Sequence, residues 1–124
     1  LNLIFIIIQN CMLRLIFTAL IIIMCSCTLQ KEAFVFIKSK TPGRTQEGLY
    51  YMDVSIKNTG EQPAYFVILI AQAFKNGNDI QRVEKGFGDI FPNAEKEMRV
   101  TFDRIGFTEP DSVTMKITYS PYHL

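Results

Sequence analysis

From Ala33 onward, the sequence is a series of short apolar runs that are separated by turn signals about every ten residues. No apolar period of 3.6 residues persists in this part, which argues against a helical bundle. Short strands with polar turns at this spacing are typical of two sheets packed face to face. We therefore predict an all-β fold over residues 33–124, an immunoglobulin-like β-sandwich of about six to seven strands.

Six runs carry the strand pattern. The run that begins at Tyr65 is apolar on both faces in its first half, which favours a central position in a sheet. It leads into Asn76-Gly77, the strongest hairpin signal in the chain, because both residues tolerate positive φ. The next run is more polar, and we expect it at a sheet edge, where Arg82, Glu84 and Lys85 would oppose aggregation. The predicted strands are Ala33–Ser39, Leu49–Lys57, Tyr65–Phe74, Asp79–Lys85, Glu97–Asp103 and Ser112–Tyr119.

Two Gly-containing segments are predicted to lie between strands. Thr41-Pro42-Gly43-Arg44 is expected to end the first strand, because proline and glycine together are typical of a turn. Gly86-Phe87-Gly88 is not followed by the lysine and helix of a phosphate-binding loop, so we interpret it as a flexible loop at the end of the sheet.

Three turn motifs resemble those of the FxLYD-type domain and related bacterial immunoglobulin-like modules. The matching stretches are Val54-Ser55-Ile56-Lys57-Asn58-Thr59-Gly60, Ala73-Phe74-Lys75-Asn76-Gly77, and Pro92-Asn93-Ala94-Glu95 before Val100-Thr101-Phe102. In this chain Ala73-Phe74-Lys75 stands in place of Leu-Tyr-Asp, and Asn93 stands where the family has glycine. The resemblance covers residues 50–102, and it implies the sandwich fold but no particular reaction, because the shared motifs are structural turns.

The N-terminal segment differs from the rest of the chain. Residues 15–24 form an apolar run of ten, about half of what a helix needs to cross a bilayer. An apolar run of this length behind a basic residue, here Arg14, is typical of a cleavable export signal. The signal is complete when it is read from Met12, so we expect translation to start there. A single-pass anchor and a buried apolar helix are the alternatives.

Met24-Cys25-Ser26-Cys27 resembles the lipobox of bacterial lipoproteins, in which a small residue precedes the cysteine that receives lipid. Ser26 precedes Cys27, whereas the bulky Met24 precedes Cys25, so Cys27 is the better acceptor. The resemblance implies cleavage before Cys27 and a diacylglyceryl anchor on its thiol.

This interpretation divides the chain into three parts. Residues 1–26 would be the signal peptide, residues 27–32 the lipidated cysteine with a short spacer, and residues 33–124 the domain. Five extended spacer residues reach about 17 Å, so we expect the domain to lie close to a bacterial membrane, on the periplasmic side or at the cell surface. A membrane-proximal protein is the expected partner.

The sequence carries no pattern that predicts catalysis or a metal centre. The three cysteines all lie in the first 27 residues, and the single histidine is His123. The domain therefore has no disulfide, no thiolate ligands for zinc and no well-placed histidine to activate a nucleophile. Its carboxylates show no spacing that would pair two of them for glycoside hydrolysis. We predict a non-catalytic domain without cofactor or metal.

Charge and aromatic residues bear on the partner. The chain has 13 basic and 12 acidic residues, which gives it no electrostatic reason to bind nucleic acid. Loop aromatics either plug the ends of a sandwich or form a binding surface. Both docking to a protein, with a role for the edge at residues 81–85, and stacking on a carbohydrate are open. The candidate binding residues are Tyr51, Phe87, Phe91, Phe107 and Tyr122.

Overall fold

A computed structural model describes residues 2–24 and 31–123. Within these residues, one helix precedes six strands that form two antiparallel three-stranded sheets, so the predicted all-β sandwich is confirmed. Sheet A has the order β1–β2–β5, and sheet B has the order β4–β3–β6. The elements are α1 (Asn2–Met24), β1 (Val35–Arg44), β2 (Tyr50–Asn58), β3 (Ala64–Lys75), β4 (Asn78–Ile90), β5 (Glu95–Phe102) and β6 (Ser112–Ser120).

The helix α1 is continuous through the polar positions near its middle. The described side chains of residues 2–18 are all exposed, and most of them are apolar. Cys25 and Cys27, on which the lipobox prediction depends, lie outside the described residues. Among the residues that are described, no helix has both the length and the hydropathy that crossing a membrane requires.

The core lies between the sheets and consists of the alternate, inward-facing residues of each strand. Ile56 on β2, Leu69 on β3 and Phe102 on β5 are fully buried there. The rings of Tyr50 and Phe102 contact each other with centroids 5.9 Å apart. Inward and outward residues alternate along β2. Side-chain hydrogen bonds join the two sheets in addition to the core, and the domain contains no cysteine for a disulfide.

Both segments that were predicted as breaks are parts of strands. β1 continues through Pro42 to Arg44, paired with β2. It is an edge strand, and an edge tolerates proline because one side of its backbone needs no partner. In β4, Gly86 and Gly88 pair with β3 across register shifts, and Phe87 between them is buried in the core. The loop predicted for residues 86–88 is wrong.

The predictions for β3, β4 and the hairpin turn between them are confirmed. β3 is central and β4 is at an edge, as predicted. Asn76 and Gly77 form the hairpin with φ values of 50° and 76°. The outer face of β3 is less covered than its apolar sequence suggested, because Phe66 and Ile68 remain exposed.

The strand directions divide the loops between two ends of the sandwich. We call the end where the chain enters from residue 31 the proximal end, and the opposite end the distal end. The proximal end contains residues 31–34, 59–66, 88–94 and 119–123, and the distal end contains residues 43–50, 75–79 and 102–112.

Candidate functional site

The five aromatic residues that were predicted to bind a partner do not form one site. Phe87 is buried in the core at 5% exposure and is not at the surface. Phe107, which is 73% exposed, lies at the distal end. Phe91 and Tyr122 lie at the proximal end with exposures of 59% and 74%. Tyr51 is on the outer face of sheet A, away from the other four.

The ring of Tyr51 is already occupied by neighbouring groups. The guanidinium carbon of Arg99 lies 3.7 Å from the ring centroid, and two bonds of 2.7 and 2.9 Å to the Asp53 carboxylate hold that guanidinium. The ring also lies so close to Gly43 that a Cβ there would be 2.8 Å from its Cε2. Stacking on a sugar would require displacement of the ion-paired guanidinium.

Two carboxylates on the outer face of sheet A, those of Asp53 and Glu95, are held in ion pairs. The hydrogen bonds from Arg99 lower the pKa of Asp53, and those from Lys38 and Ser55 lower the pKa of Glu95. Both groups are therefore ionised acceptors at neutral pH. Neither of these two carboxyl groups is therefore protonated at neutral pH to serve as a general acid.

The buried side chain of Asn58 organises the proximal end. Its Oδ1 accepts hydrogen bonds from the backbone N–H groups of Phe34 (3.1 Å) and Gly60 (2.9 Å). Its Nδ2 donates to the carbonyls of Gln62 (2.8 Å) and Ile90 (2.9 Å). One side chain thus connects the start of β1, the β2–β3 loop and the end of β4. The sequence predicted only a turn at this position.

Residues 31–34 are fixed to the body of the domain before β1 begins. Glu61 N–H donates to the Lys31 carbonyl at 3.1 Å, and Lys31 N–H donates to the Glu61 carboxylate at 3.1 Å. Thr59 N–H donates to the Phe34 carbonyl at 2.9 Å. Lys31, which the sequence assigned to the spacer of residues 27–32, is therefore held against the β2–β3 loop.

Three of the four edge strands carry a lysine that points toward the interior of the sandwich. Antiparallel partners share a face, and each of these lysines pairs with a buried residue. The pairs are Lys40 with Val54 on β1, Lys85 with Leu69 on β4, and Lys96 with Ile56 on β5. An inward-pointing charge on an edge strand opposes the addition of another strand.

The strand β6 lacks this protection. Its inward side chains are all apolar (Val113, Met115, Ile117 and Tyr119), and its only charge is the outward Lys116. It pairs with β3 on one side, and no described strand pairs with its other side. All four inward side chains are only half-buried, although they contact the core.

A groove of about 600 Å³ separates β6 from β1. Its walls are residues 37–40 on one side and residues 113–115 on the other. At the proximal end the groove closes, because the Tyr119 hydroxyl donates to the Ala33 carbonyl at 3.0 Å. The β1–β6 side of the sandwich is therefore open along most of its length.

Hydrogen bonds between β4 and β5 close the opposite side of the sandwich. Lys96 Nζ donates to the Phe87 carbonyl at 2.8 Å. Gln81 donates to the Asp103 carboxylate at 2.8 Å and accepts from Arg104 N–H at 3.0 Å. The predicted docking edge at residues 81–85 is thus an edge strand, but its neighbour β5 already occupies part of its surface.

The groove is basic. Lys40 on β1 and Lys116 on β6 have no ion-pair partner among the described residues, whereas Lys38 pairs with Glu95 at 2.9 Å. Lys40 therefore leaves an uncompensated positive charge on the β1 wall, and Lys116 leaves another on the outer face of sheet B, next to the β6 wall. Backbone groups, apolar side chains and ammonium groups are suited to binding an extended chain.

No protein family matches this chain, and a search of curated proteins finds no relative. In residues 2–24 and 31–123, no group of three or more His, Cys, Asp or Glu side chains is placed to hold a metal ion.

Proposed function

We propose that this chain is a lipoprotein of the bacterial cell envelope, anchored through Cys27, whose β-sandwich binds an extended segment of a neighbouring protein along β6. The open, unprotected edge of β6 is the observation that carries this proposal. Strand addition gives affinity through main-chain hydrogen bonds, while alternate side chains of the added strand give specificity.

The groove determines what the added strand contributes. The inward side chains of the added strand would cover Met115 and Ile117, which are half-buried in the sandwich alone. Its backbone would pair with the nine residues of β6. Each apolar side chain that leaves water in this way contributes about 25 cal/mol per Å² of buried area.

The charges favour an acidic segment from a different protein. The positive charges of Lys40 and Lys116, on the two sides of the groove, would attract an added strand that carries carboxylates. A second copy of this chain is disfavoured, because antiparallel pairing of two β6 strands about their centre places Lys116 opposite Lys116. The function is therefore recognition, and no catalytic step is assigned.

Two features support the anchor. Cys27 follows an apolar segment whose described side chains are exposed and need an apolar environment. Only three residues separate Cys27 from Lys31, which hydrogen bonds to Glu61 hold against the domain. A lipid on Cys27 would therefore keep β6 within reach of proteins in the same membrane.

Replacing Cys27 with alanine is expected to abolish both processing and lipid attachment. The mature wild-type protein should begin at residue 27 and carry the mass of the acyl chains, because the thiol is the acceptor. Cys25→Ala is the matched control and should be processed normally. Intact mass spectrometry and membrane fractionation of the full-length proteins give the answer. Lipid on the Cys27→Ala variant, or a wild type that retains residues 12–26 without lipid, contradicts the anchor.

A peptide of nine alternating valine and glutamate residues is expected to slow amide exchange of β6 in the full-length protein in detergent micelles. The same peptide with lysine in place of glutamate should bind at least about tenfold more weakly, because each reversed charge changes an attraction into a repulsion. The double variant Lys40→Glu/Lys116→Glu should reverse this preference.

Lys85→Glu is the matched control, because it reverses a charge on the edge of β4. This variant should bind the acidic peptide like the wild type. Protection of β4 instead of β6, or equal binding of both peptides by the wild type, would show that strand addition at the groove is wrong. A concentration-dependent dimer that protects β6 without peptide would identify a second copy as the occupant.

A further inference from the structure

Exposed aromatic side chains surround the proximal end of the sandwich. Phe34 and Phe66 lie on the outer faces of sheet A and sheet B, with exposures of 59% and 48%. Phe91 begins the β4–β5 turn, and Tyr122 follows β6. We call Phe34, Phe66, Phe91 and Tyr122 the aromatic rim. The distal end has one comparable residue among its described loops, Phe107.

The structure holds Phe66 outward in an unfavourable backbone conformation. Its φ is 52°, in the left-handed region that bulky residues rarely adopt. The register of β3 shifts here against both neighbouring strands, and Phe66 N–H donates to the Asp89 carboxylate at 3.1 Å. The ring lies 6.1 Å from the ring of His123. Strain that keeps an apolar ring in solvent points to a function for that ring.

The rim lies at the end that the anchor would hold nearest the membrane. The hydrogen bonds of Lys31 fix where the chain enters the domain. Residues 28–30 allow about 14 Å between Cys27 and Lys31 when they are extended. The headgroup region on each side of a bilayer is about 5–8 Å thick, so the proximal end reaches it without stretching the chain.

We infer that the aromatic rim inserts into the headgroup region of the bilayer that holds the lipid on Cys27, an inference that rests on the proposed anchor. Rings at the boundary of apolar and polar phases are stabilised there. The strands would then point away from the membrane surface, because the aromatic rim lies at one end of the sandwich. β6 faces sideways, toward other proteins of the same membrane.

A lipid surface fits the rim better than a partner protein does. The four residues lie on different sides of one end and not on one flat face. A bilayer can contact all four side chains at the same time, whereas a protein interface concentrates its aromatic side chains at the centre of a patch. The adjoining Lys31, Glu32 and Glu61 carry both signs of charge, so insertion does not require anionic lipid.

Single tryptophans test this inference, since the chain contains none. The full-length lipidated variants Phe91→Trp and Phe107→Trp are placed in phosphatidylcholine vesicles with lipids brominated near the headgroup. The proximal tryptophan is expected to be quenched at least about twofold more than the distal one, because only the proximal end reaches the brominated layer. Phe107 is the matched control, since both side chains are exposed phenylalanines in loops.

A second variant separates docking from folding. Phe66→Asn should weaken the quenching of the tryptophan at position 91 without lowering the melting temperature, because asparagine tolerates positive φ. Equal or absent quenching of both tryptophans on a chain that carries lipid overturns the inference and leaves the anchor intact. A chain whose mass shows no lipid on Cys27 overturns the anchor and this inference together.

Discussion

The variant Asn58→Ala is expected to lose about 3–5 kcal/mol of unfolding free energy, because a buried group that loses its hydrogen-bond partner costs about 1–3 kcal/mol. The substitution removes the Oδ1 atom, which accepts two hydrogen bonds, and the Nδ2 group, which donates two. It leaves the N–H groups of Phe34 and Gly60 and the carbonyls of Gln62 and Ile90 without these bonds. The methyl group of alanine can neither donate nor accept these hydrogen bonds.

Urea denaturation of the full-length protein measures this loss as a lower midpoint with an unchanged slope. The matched control is Asn78→Ala at the exposed start of β4, which should change stability by less than about 0.5 kcal/mol. The isosteric Asn58→Asp should also destabilise at neutral pH, because it removes the Nδ2 donor and buries a carboxylate. A loss below about 1 kcal/mol for Asn58→Ala would contradict the four bonds.

The sequence predicted those parts of the fold that depend on neighbours along the chain. Asn76-Gly77 specifies its own φ angles, and the alternation of β2 specifies its own buried face. The two wrong breaks show the limit of this reasoning. Pro42 and the glycines beside Phe87 have turn propensity, but pairing with β2 and β3 gives their segments partners and overrides it.

The candidate site could be predicted only in part, because its properties arise between distant residues. Asn58 was recognised as a turn residue, yet its bonds reach Phe34 and Ile90, which are 24 and 32 positions away. Whether β6 is unprotected depends on which strands are left at the edges. Phe87 looked like a loop aromatic because Gly flanks it on both sides. Its burial follows from strand pairing that extends past the charged part of β4.

The strand topology brings two of the predicted aromatic residues to the same end of the sandwich. Phe91 and Tyr122 are 31 positions apart in sequence, but antiparallel strands bring both to the proximal end. Phe34 and Phe66 were absent from the predicted set, since each lies in or beside an apolar strand pattern. A bulge and a positive φ turn Phe66 outward, and no local signal predicts either.

The variant Gly60→Ala is expected to destabilise the domain by about 2–4 kcal/mol, because it separates residues 32–34 from the β2–β3 loop. A Cβ on Gly60 would overlap the Glu32 carbonyl and lie 2.6 Å from both Ala33 Cα and Phe34 N. These are backbone atoms that cannot rotate away. The hydrogen bond from Thr59 N–H to the Phe34 carbonyl would lengthen or break.

Gly86→Ala is the matched control for this variant, because a Cβ at Gly86 meets nothing within 4 Å. Its stability should stay within about 0.5 kcal/mol of the wild type. Amide exchange gives a second readout, since Gly60→Ala should speed exchange at Phe34 and Thr59 more than at Leu69 in the core. The same loss for both variants would indicate that the overlap with residues 32–34 is not the cause of the loss at Gly60. A selective loss at Gly60 would show that close packing against the β2–β3 loop holds residues 32–34 in place. The proposed anchor is attached to the domain through these residues.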